Sequence, residues 1–402
     1  MLPVEVKTGD PERQSRSPTA AGGGTGSLRQ LALLYLKLGT IAFGGPAAHI
    51  AMMEDEVVRR RGWLGREDFL DLVGVSSLIP GPSSTEVAIY VGYRRAGVPG
   101  LLVAGACFIL PAMLMAAALA WAYLRFGALP AARGLLYGVK PVVIAIVLQA
   151  LWRLGRTAVK SWWLALVGAG CLAAAALGAN LLAVLVGGGL VTAAAFALGR
   201  WRVAGRAPLG LLPLAAGPAG AVLGAPAAVH AGWWPLFQVF LKLGSVVFGS
   251  GYVLLAFLRS DLVTSRHWLT ESQLLDSVVV GQVTPGPVFT TATFIGYVLA
   301  GPAGALAATA GIFLPAFALV AATGPLVPRL RRSRLAGAIL DGLNVASLAL
   351  MAVVSWQLGR AALVDPVTVL IAGAAVALLL WRPVNSAWLV LGGALAGLAS
   401  GR

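Results

Sequence analysis

Eight apolar runs dominate this chain, and most of them are close to the length of helix that crosses a lipid bilayer. A transmembrane helix needs about 20 consecutive apolar residues. Of the 402 residues, 58% are hydrophobic and only 11% are charged, whereas a soluble globular domain carries about 25% charged residues. The chain is therefore predicted to be an all-α polytopic membrane protein. The runs cover residues 101–123, 134–152, 162–178, 181–198, 303–327, 335–356, 363–380 and 387–399.

The net charge of +15 comes from 30 Lys and Arg against 15 Asp and Glu, and the basic residues lie in short loops. Cytoplasmic loops accumulate Lys and Arg, so this charge indicates membrane topology rather than a nucleic-acid partner. Cys107 and Cys171 lie inside apolar runs, and His49, His230 and His267 share no metal-ligand spacing. We therefore expect no disulfide, no metal centre and no cofactor.

A repeated stretch shows that the chain consists of two similar halves. The sequence YLKLGTIAFGG starts at Tyr35, and FLKLGSVVFGS starts at Phe240, 205 residues later. At the same spacing, the Pro-Gly-Pro of residues 80–82 matches the Pro-Gly-Pro of residues 285–287. Duplicated halves of this kind are common in secondary transporters.

The loop charges indicate that the two halves lie in opposite orientations. In the first half the loop near residue 130 is less basic than the loop near residue 157, and in the second half this order is reversed. Under the positive-inside rule, the reversal predicts inverted-topology repeats. An odd number of spans must then separate the repeats, and the apolar stretch Leu209–Gly232 is expected to supply one.

Four sections follow from composition and repetition. The N-terminal tail is rich in Gly, Ser and Pro and is expected to be disordered. The sections are the tail over residues 1–29, the first transmembrane repeat over residues 30–200, the connector over residues 201–232 and the second transmembrane repeat over residues 233–402.

Each half has two breaks in its helices, at FGGP and Pro-Gly-Pro in the first half and at FGSG and Pro-Gly-Pro in the second. Proline removes a backbone donor and clashes with the preceding turn. Such breaks are tolerated in a membrane only where protein or a watery cavity satisfies the backbone. An ordinary kinked helix would use the same prolines, but the repetition of the motif favours re-entrant segments that end at a substrate site.

Hydroxyl side chains follow each Pro-Gly-Pro at the start of the next helix. Ser83, Ser84 and Thr85 follow the first, and Thr290 and Thr291 follow the second. Unpaired amides and the positive dipole end of a helix start favour an anion, and hydroxyls add donors without charge. Two such ends meeting near the middle of the membrane predict a binding site for a compact anion.

Few ionisable residues lie within the apolar segments, where a charge is costly and marks a transport pathway or proton relay. Lys37 and Lys242 precede equivalent Gly breaks and are candidates to attract the anion, although such side chains also snorkel to the membrane surface. Glu86 has no acidic counterpart in the second half, so we interpret it as a proton-coupling residue, with helix-dipole capping as the alternative. Further candidates for function are Asp71, Lys140 and Asp276.

These motifs, in particular FLKLGSVVFGSG, FGGPAAHIAMMEDEVVRRRGWL and the twin Pro-Gly-Pro, resemble the chromate ion transporter (CHR) family in its long two-domain form. The resemblance covers the chain from about Leu31 to about Gly397 and implies a carrier that exports chromate from bacterial cells. It also implies oppositely oriented halves and energy from the membrane potential or the proton gradient, with sulfate exchange as a further mode. The functional residues that it implies are Lys37, Gly44, Gly45, Pro46, His49, Glu54, Pro80, Gly81, Pro82, Lys242, Gly249, Pro285, Gly286 and Pro287.

Together, the residues and the resemblance predict a secondary transporter, not an enzyme, that moves chromate across the inner (plasma) membrane by alternating access. The helix ends at the Pro-Gly-Pro breaks would bind the dianion, and protons are the expected coupling ion. A carrier for sulfate or another oxyanion remains an alternative, since both anions are tetrahedral dianions. A passive anion channel and a membrane-embedded enzyme are the weaker alternatives. The sequence indicates no oligomeric state.

Overall fold

The structure is a computed structural model that describes residues 25–43, 45–127, 129–204, 232–248, 251, 253–324, 334–381 and 386–400. Within these ranges the chain forms fourteen helices and no strand. Five helices are long and apolar enough to cross a membrane, over Ser83–Phe126, Pro130–Ala158, Leu181–Leu198, Val288–Thr323 and Leu335–Ala362. The prediction of an all-α polytopic membrane protein is confirmed.

The two halves repeat the same order of helices. In the first half the helices are α1 (Thr25–Ile41), α2 (Gly45–Glu54, continued as a π-helical segment at Asp55–Arg60), α3 (Arg66–Ser76), α4 (Ser83–Phe126), α5 (Pro130–Ala158), α6 (Trp162–Ala176) and α7 (Leu181–Ala204). In the second half they are α8 (Trp233–Val246), α9 (Leu254–Leu258, continued at Arg259–Ser265), α10 (Glu271–Val283), α11 (Thr291–Thr323, preceded by a 3₁₀ turn at Val288–Thr290), α12 (Arg334–Ala362), α13 (Pro366–Trp381) and α14 (Ser386–Ala399).

α1 begins at Thr25, within the tail that was predicted for residues 1–29, because the apolar periodicity of this helix extends one turn further towards the N-terminus. Similarly, α7 continues to Ala204, beyond the predicted end of the first repeat at residue 200. The span expected in the connector lies outside the described residues, as do residues 1–24 of the tail.

Two antiparallel helices flank the first break in each half. Lys37 of α1 contacts Glu56 at 2.8 Å, and the His49 imidazole lies 3.0 Å from the Ala42 carbonyl oxygen. The first contact joins residues far from the break and the second joins residues close to it, so α2 runs antiparallel to α1. Lys242 and Asp261 make the corresponding contact between α8 and α9, at 3.0 Å. Re-entrant segments require this antiparallel geometry, and re-entry into the membrane at these breaks stays a prediction.

A second reversal divides α4, and its twin divides α11. Ala96 and Gly97 have non-helical backbone angles, with φ of −146° and 61°, and Ala300 and Gly301 have φ of −146° and 61°. The positive φ favours glycine at the second position. In α11 the two arms run antiparallel, because Thr293 and Thr309 share a hydrogen bond of 2.7 Å across them. Each Pro-Gly-Pro is therefore followed by a short arm, a tight turn and a long membrane-crossing arm.

The halves have opposite orientations, as α5 and its repeat equivalent α12 demonstrate. Lys160, just after α5, pairs with Asp341 near the start of α12 at 2.7 Å. Tyr137, near the start of α5, donates to Asp365 just after α12 at 2.5 Å. Two equivalent helices that run antiparallel require inverted repeats, so this prediction is confirmed.

Each half also contributes one helix to the packing of the other. α5 packs against α13 and α14, and α12 packs against α6 and α7. Small residues permit the close approach of these backbones. Gly138 of α5 lies against Gly393 and Gly397 of α14, and Gly188 of α7 lies against Gly342 of α12.

One end of the bundle carries most of the basic residues. Arg61 and Arg95 both lie over the ring of Trp63, at 5.1 and 4.9 Å. Lys160 lies at the same end, because α5 returns there from the far side of the bundle. We call this end the basic face. The turns between α4 and α5 and between α12 and α13 lie at the opposite face.

Candidate substrate-binding site

The four helix breaks meet at the centre of the molecule. Each half donates a hydrogen bond to a backbone carbonyl at a break in the other half. The Gly81 amide donates to the Val247 carbonyl at 2.8 Å, and the Gly286 amide donates to the Ala42 carbonyl at 2.9 Å. Gly81 and Gly286 are repeat equivalents, as are Ala42 and Val247. A break at the end of α1 or α8 frees carbonyl groups, and these two bonds satisfy one of them in each half. They therefore fix the tips of the two halves against each other.

Close packing accompanies these bonds. Gly286 has φ of +89°, and a Cβ at this position would lie 2.8 Å from the Ala112 Cβ and 3.1 Å from the Gly39 carbonyl oxygen. Gly81 has φ of +140°, and a Cβ there would lie 3.5 Å from the Ala316 Cβ. Both Pro-Gly-Pro tips thus rest on the long arm that crosses the membrane in the other half. All three residues are buried in the second tip, and in the first Pro80 is half-buried.

Hydroxyl groups at the two helix starts differ in their hydrogen bonding. Thr290 donates to the Pro287 carbonyl and Thr291 donates to the Val288 carbonyl, both at 2.8 Å. These two donors are therefore occupied within their own half. Thr85, by contrast, is fully buried and its hydroxyl has no hydrogen-bond partner among the described residues. Ser83 is half-buried and has an interaction of its own.

Glu86 is the most unusual group at the centre. Its side chain is fully buried, and neither carboxyl oxygen has a hydrogen-bond partner in the described part of the chain. One carboxyl oxygen lies against the Cα of Gly81 in the Pro-Gly-Pro tip, since a Cβ there would collide with it. A buried charge without a partner is very costly, so this environment favours the neutral, protonated carboxyl. Its equivalent in the second half is Thr291.

His49 links the two breaks of the first half. Its Nε2 lies 3.0 Å from the Ala42 carbonyl oxygen, and its Nδ1 lies 3.3 Å from the Ser84 hydroxyl. A carbonyl can only accept, so Nε2 carries the hydrogen and Nδ1 accepts from Ser84. His49 is 1% exposed. The second half has Leu254 at the equivalent place, so this link exists in one half only.

The two candidate lysines are both ion-paired and half-exposed rather than directed at the tips. Lys37 pairs with Glu56, which also lies 3.6 Å from Arg60 and 3.3 Å from Arg61. The hydrogen bond from Lys37 holds the pKa of the Glu56 carboxyl below its ordinary value, against the opposing effect of burial. Arg60 also pairs with Asp55 at 2.7 Å, so the cluster of three cations and two acids retains an excess of one positive charge.

Among the residues that the structure describes, Lys242 pairs with Asp261 alone. The two charges of this pair cancel, so the second half has no cluster equivalent to the one around Lys37. The electrostatic surroundings of the two antiparallel helix pairs therefore differ, although their backbones repeat.

The remaining candidates lie away from the tips. Glu54 pairs with Arg66 at 3.4 Å. Lys140 and Asp276 form a further contact between the halves, with their charged atoms 3.0 Å apart. Asp71, the repeat equivalent of Asp276, is half-buried in α3 and has interactions of its own.

Two of the predicted residues cannot be placed. Gly44 and Gly249 lie outside the described residues, whereas Gly45 and Pro46 begin α2 and are half-buried. Three further groups were not predicted from the sequence: the carbonyls of Ala42 and Val247, and the backbone reversal at Gly97 with its twin. Within the described ranges, no group of three or more His, Cys, Asp or Glu side chains could hold a metal ion.

The site lies at the interface between the inverted halves. It contains two helix starts, together with a hydroxyl and an acid that have no hydrogen-bond partner among the described residues. Helix starts supply N–H groups and positive potential, which suit a small anion. The buried acid can carry a proton. Because the tips of the two halves hydrogen-bond to each other, a movement of one half relative to the other must alter the site.

Comparison with known proteins identifies similar chains. A family model described as "Chromate transporter" matches residues 29–193 and 234–398. The chain is 33% identical over 401 residues to "Chromate transport protein" of Cupriavidus metallidurans, covering 96% of this chain and 98% of that protein. It is 34% identical over 314 residues to "Chromate transport protein" of Pseudomonas aeruginosa, covering 77% and 75%. It is 32% identical over 353 residues to "Probable chromate transport protein" of Synechococcus elongatus, covering 86% and 88%. No solved structure matches the chain.

Proposed function

The chain belongs to the chromate transporter family, and we propose that it exports the chromate dianion by alternating access at the site between its halves. Chromate transport across the membrane is the function of the family. The outward direction, the mechanism and the driving force are our inference from the arrangement of the central tips.

The pair of hydrogen bonds between the halves carries this proposal. Gly81 donates to Val247, and Gly286 donates to Ala42. Inverted repeats related in this way support transporters in which one half rocks against the other around a fixed central site. In this proposal the two helix starts bind the dianion. A change in the contacts between the four tips then opens the binding site to one face or the other.

The membrane potential favours export of a dianion. The basic face is the cytoplasmic face under the positive-inside rule, and we place the protein in the inner membrane on that basis. An inside-negative potential of about 100 mV moves two negative charges outward with a gain of about 4.6 kcal/mol, at about 2.3 kcal/mol per charge. Each proton that leaves with the dianion through Glu86 offsets one of these charges and reduces the gain by about 2.3 kcal/mol.

Proton coupling is assigned to Glu86. The acid is buried beside the Pro-Gly-Pro tip, and both of its oxygens lack hydrogen-bond partners within the described part of the chain. A neutral Glu86 leaves the positive end of the helix available to the dianion, whereas an ionised Glu86 repels it. Binding of chromate and protonation of Glu86 are therefore expected to support each other.

The lysines act from a distance in this proposal. Lys37 belongs to a cluster with excess positive charge near the cytoplasmic end of the site, and Lys242 forms a neutral pair. Lys37 is expected to raise the local concentration of the dianion more than Lys242 does.

The test is the flux of radiolabelled chromate in proteoliposomes with imposed gradients. We expect saturable flux that follows an electrical gradient in the absence of a pH gradient, and a further dependence on pH that disappears in Glu86→Gln. Flux without saturation would contradict a carrier and favour a channel. An excess of sulfate that removes chromate flux, and is itself transported, would establish an oxyanion carrier of broader specificity.

A further inference from the structure

A cavity of about 410 Å³ lies at the opposite face, away from the central tips. It forms where the turn between α4 and α5 in the first half meets α10 and the turn between α12 and α13 in the second. Its polar lining consists of Tyr123, Arg133, Tyr137, Lys140, Ser272 and Asp276. The cavity is therefore shared between the two halves, like the central site.

Two cations, Arg133 and Lys140, line this cavity with one acid, Asp276. The Asp365 carboxyl beside it accepts a hydrogen bond from Tyr137. Lys140 lies 3.0 Å from Asp276 and donates to the Ser272 hydroxyl at 2.7 Å, which leaves its third N–H uncommitted. Ser272 accepts in that bond and keeps its own hydrogen to donate. The guanidinium of Arg133 is exposed and forms no ion pair within the described ranges.

Asp276 competes for the same cation. Its side chain is 4% exposed and also accepts from Tyr123 at 3.0 Å. Since Tyr123 and Lys140 share one carboxylate, Tyr123 keeps Asp276 in place when Lys140 turns towards another anion. Lys140 can therefore turn towards an anion in the cavity while Asp276 stays bonded to Tyr123.

The repeat-related position does not carry this set of charges. The residues equivalent to Arg133, Tyr137 and Lys140 are Gly337, Asp341 and Asn344. Both cations are missing there, and an acid replaces a tyrosine. In a molecule whose central tips are paired symmetrically, this difference marks the two faces as unequal.

We propose that the cavity is a second binding site for a tetrahedral oxyanion, in which Arg133 and Lys140 hold the dianion on its way between the central site and the opposite face. This inference rests on the proposed function, because it assumes that the dianion passes through the molecule. Asp276 limits the affinity of the cavity by holding Lys140, so the dianion is retained weakly enough to leave.

A purely structural ion pair predicts a different outcome from a substrate site. If Lys140 and Asp276 only join α5 to α10, the loss of either charge weakens the fold and every function with it. If the cavity binds an anion, the loss of the acid frees Lys140 and strengthens binding. Asp276→Asn keeps the shape and the contact with Tyr123, and therefore separates the two cases.

The experiment measures the half-saturating chromate concentration at each face in right-side-out and inside-out membrane vesicles that contain the full chain. At the opposite face, Arg133→Gln should raise this concentration on the order of threefold, and Asp276→Asn should lower it by a similar factor. At the basic face, both variants should match the wild type. Arg125→Gln is the matched control, because Arg125 is an exposed arginine at the end of α4 that does not line the cavity.

The cavity proposal is overturned if the wild type transports chromate while Arg133→Gln and Asp276→Asn both behave like Arg125→Gln. It is also overturned if Asp276→Asn raises the half-saturating concentration as Arg133→Gln does. If the wild type shows no flux above vesicles that lack the protein, the proposed function fails instead. Equilibrium binding of chromate to the purified variants then tests the cavity, with the same opposite shifts expected and the same two results against it.

Discussion

Gly286→Ala should damage the protein far more than another glycine substitution in the same half. Gly286 has φ of +89°, and a Cβ there would lie 2.8 Å from the Ala112 Cβ. Gly301 also has positive φ, of +61°, but a Cβ there would meet no atom within 4 Å. Both variants incur the cost of a backbone conformation that a Cβ disfavours, about 1–3 kcal/mol. Only Gly286→Ala adds overpacking, which costs about 1–3 kcal/mol.

We therefore expect Gly286→Ala to lower the free energy of unfolding by about 1–3 kcal/mol more than Gly301→Ala. The clash also displaces the amide that bonds to Ala42 at 2.9 Å, so chromate flux should fall in Gly286→Ala and persist in Gly301→Ala. Denaturant unfolding of the purified protein, followed by tryptophan fluorescence, measures the stability, and proteoliposome flux measures the function.

A second substitution sharpens this test. Ala112→Gly removes the atom with which the new Cβ of Gly286→Ala collides, so the double variant should recover part of the lost flux. Equal destabilisation by Gly286→Ala and Gly301→Ala, with flux retained in both, would refute the close contact between the tips on which the transport mechanism depends.

Three further predictions concern single side chains of the central site. Glu86→Gln should keep chromate flux but abolish its dependence on pH, and a pH profile like that of the wild type would remove Glu86 from the coupling mechanism. His49→Leu, which introduces the residue of the other half, should cost about 1–3 kcal/mol of stability by leaving Ser84 without its acceptor, as measured by denaturant unfolding. Lys37→Ala should raise the half-saturating chromate concentration at the basic face more than Lys242→Ala, because Lys37 shares its acid with two arginines; equal effects would contradict this reasoning.

The repeat made much of the fold predictable. Once Lys37 was aligned with Lys242, the same spacing related both Pro-Gly-Pro motifs and both Gly breaks. The charges of the loops then indicated inverted halves, because the positive-inside rule depends on local composition alone. The pairing of Lys160 with Asp341 is the direct structural evidence for that orientation.

Long-range partners could not be predicted in the same way. Nothing in the local sequence indicates that the Gly81 amide bonds to Val247 rather than to its own half, because that choice depends on how the halves dock. The turn at Gly97 left a weak signal, since RRAGVPG and VLAGPAG both place Ala-Gly at equivalent positions, with a proline one or two residues after it. The predicted apolar runs 101–123 and 303–327 begin just after this turn, but hydropathy alone does not show that the preceding arm folds back on the long arm.

The two hydrogen bonds between the tips of the halves also affect how the protein folds while it is being synthesised. When the ribosome has released only the first half, the Gly81 amide has no partner and the Ala42 carbonyl has only His49, since Gly286 and Val247 are still to be synthesised. Likewise, α6 and α7 lack their packing partner α12, and α5 lacks its packing partner α14. Unsatisfied backbone groups are costly within lipid. The newly inserted first half is therefore an incompletely folded intermediate that exposes polar backbone groups. Truncation anywhere before α14 should leave a chain that membrane quality control removes.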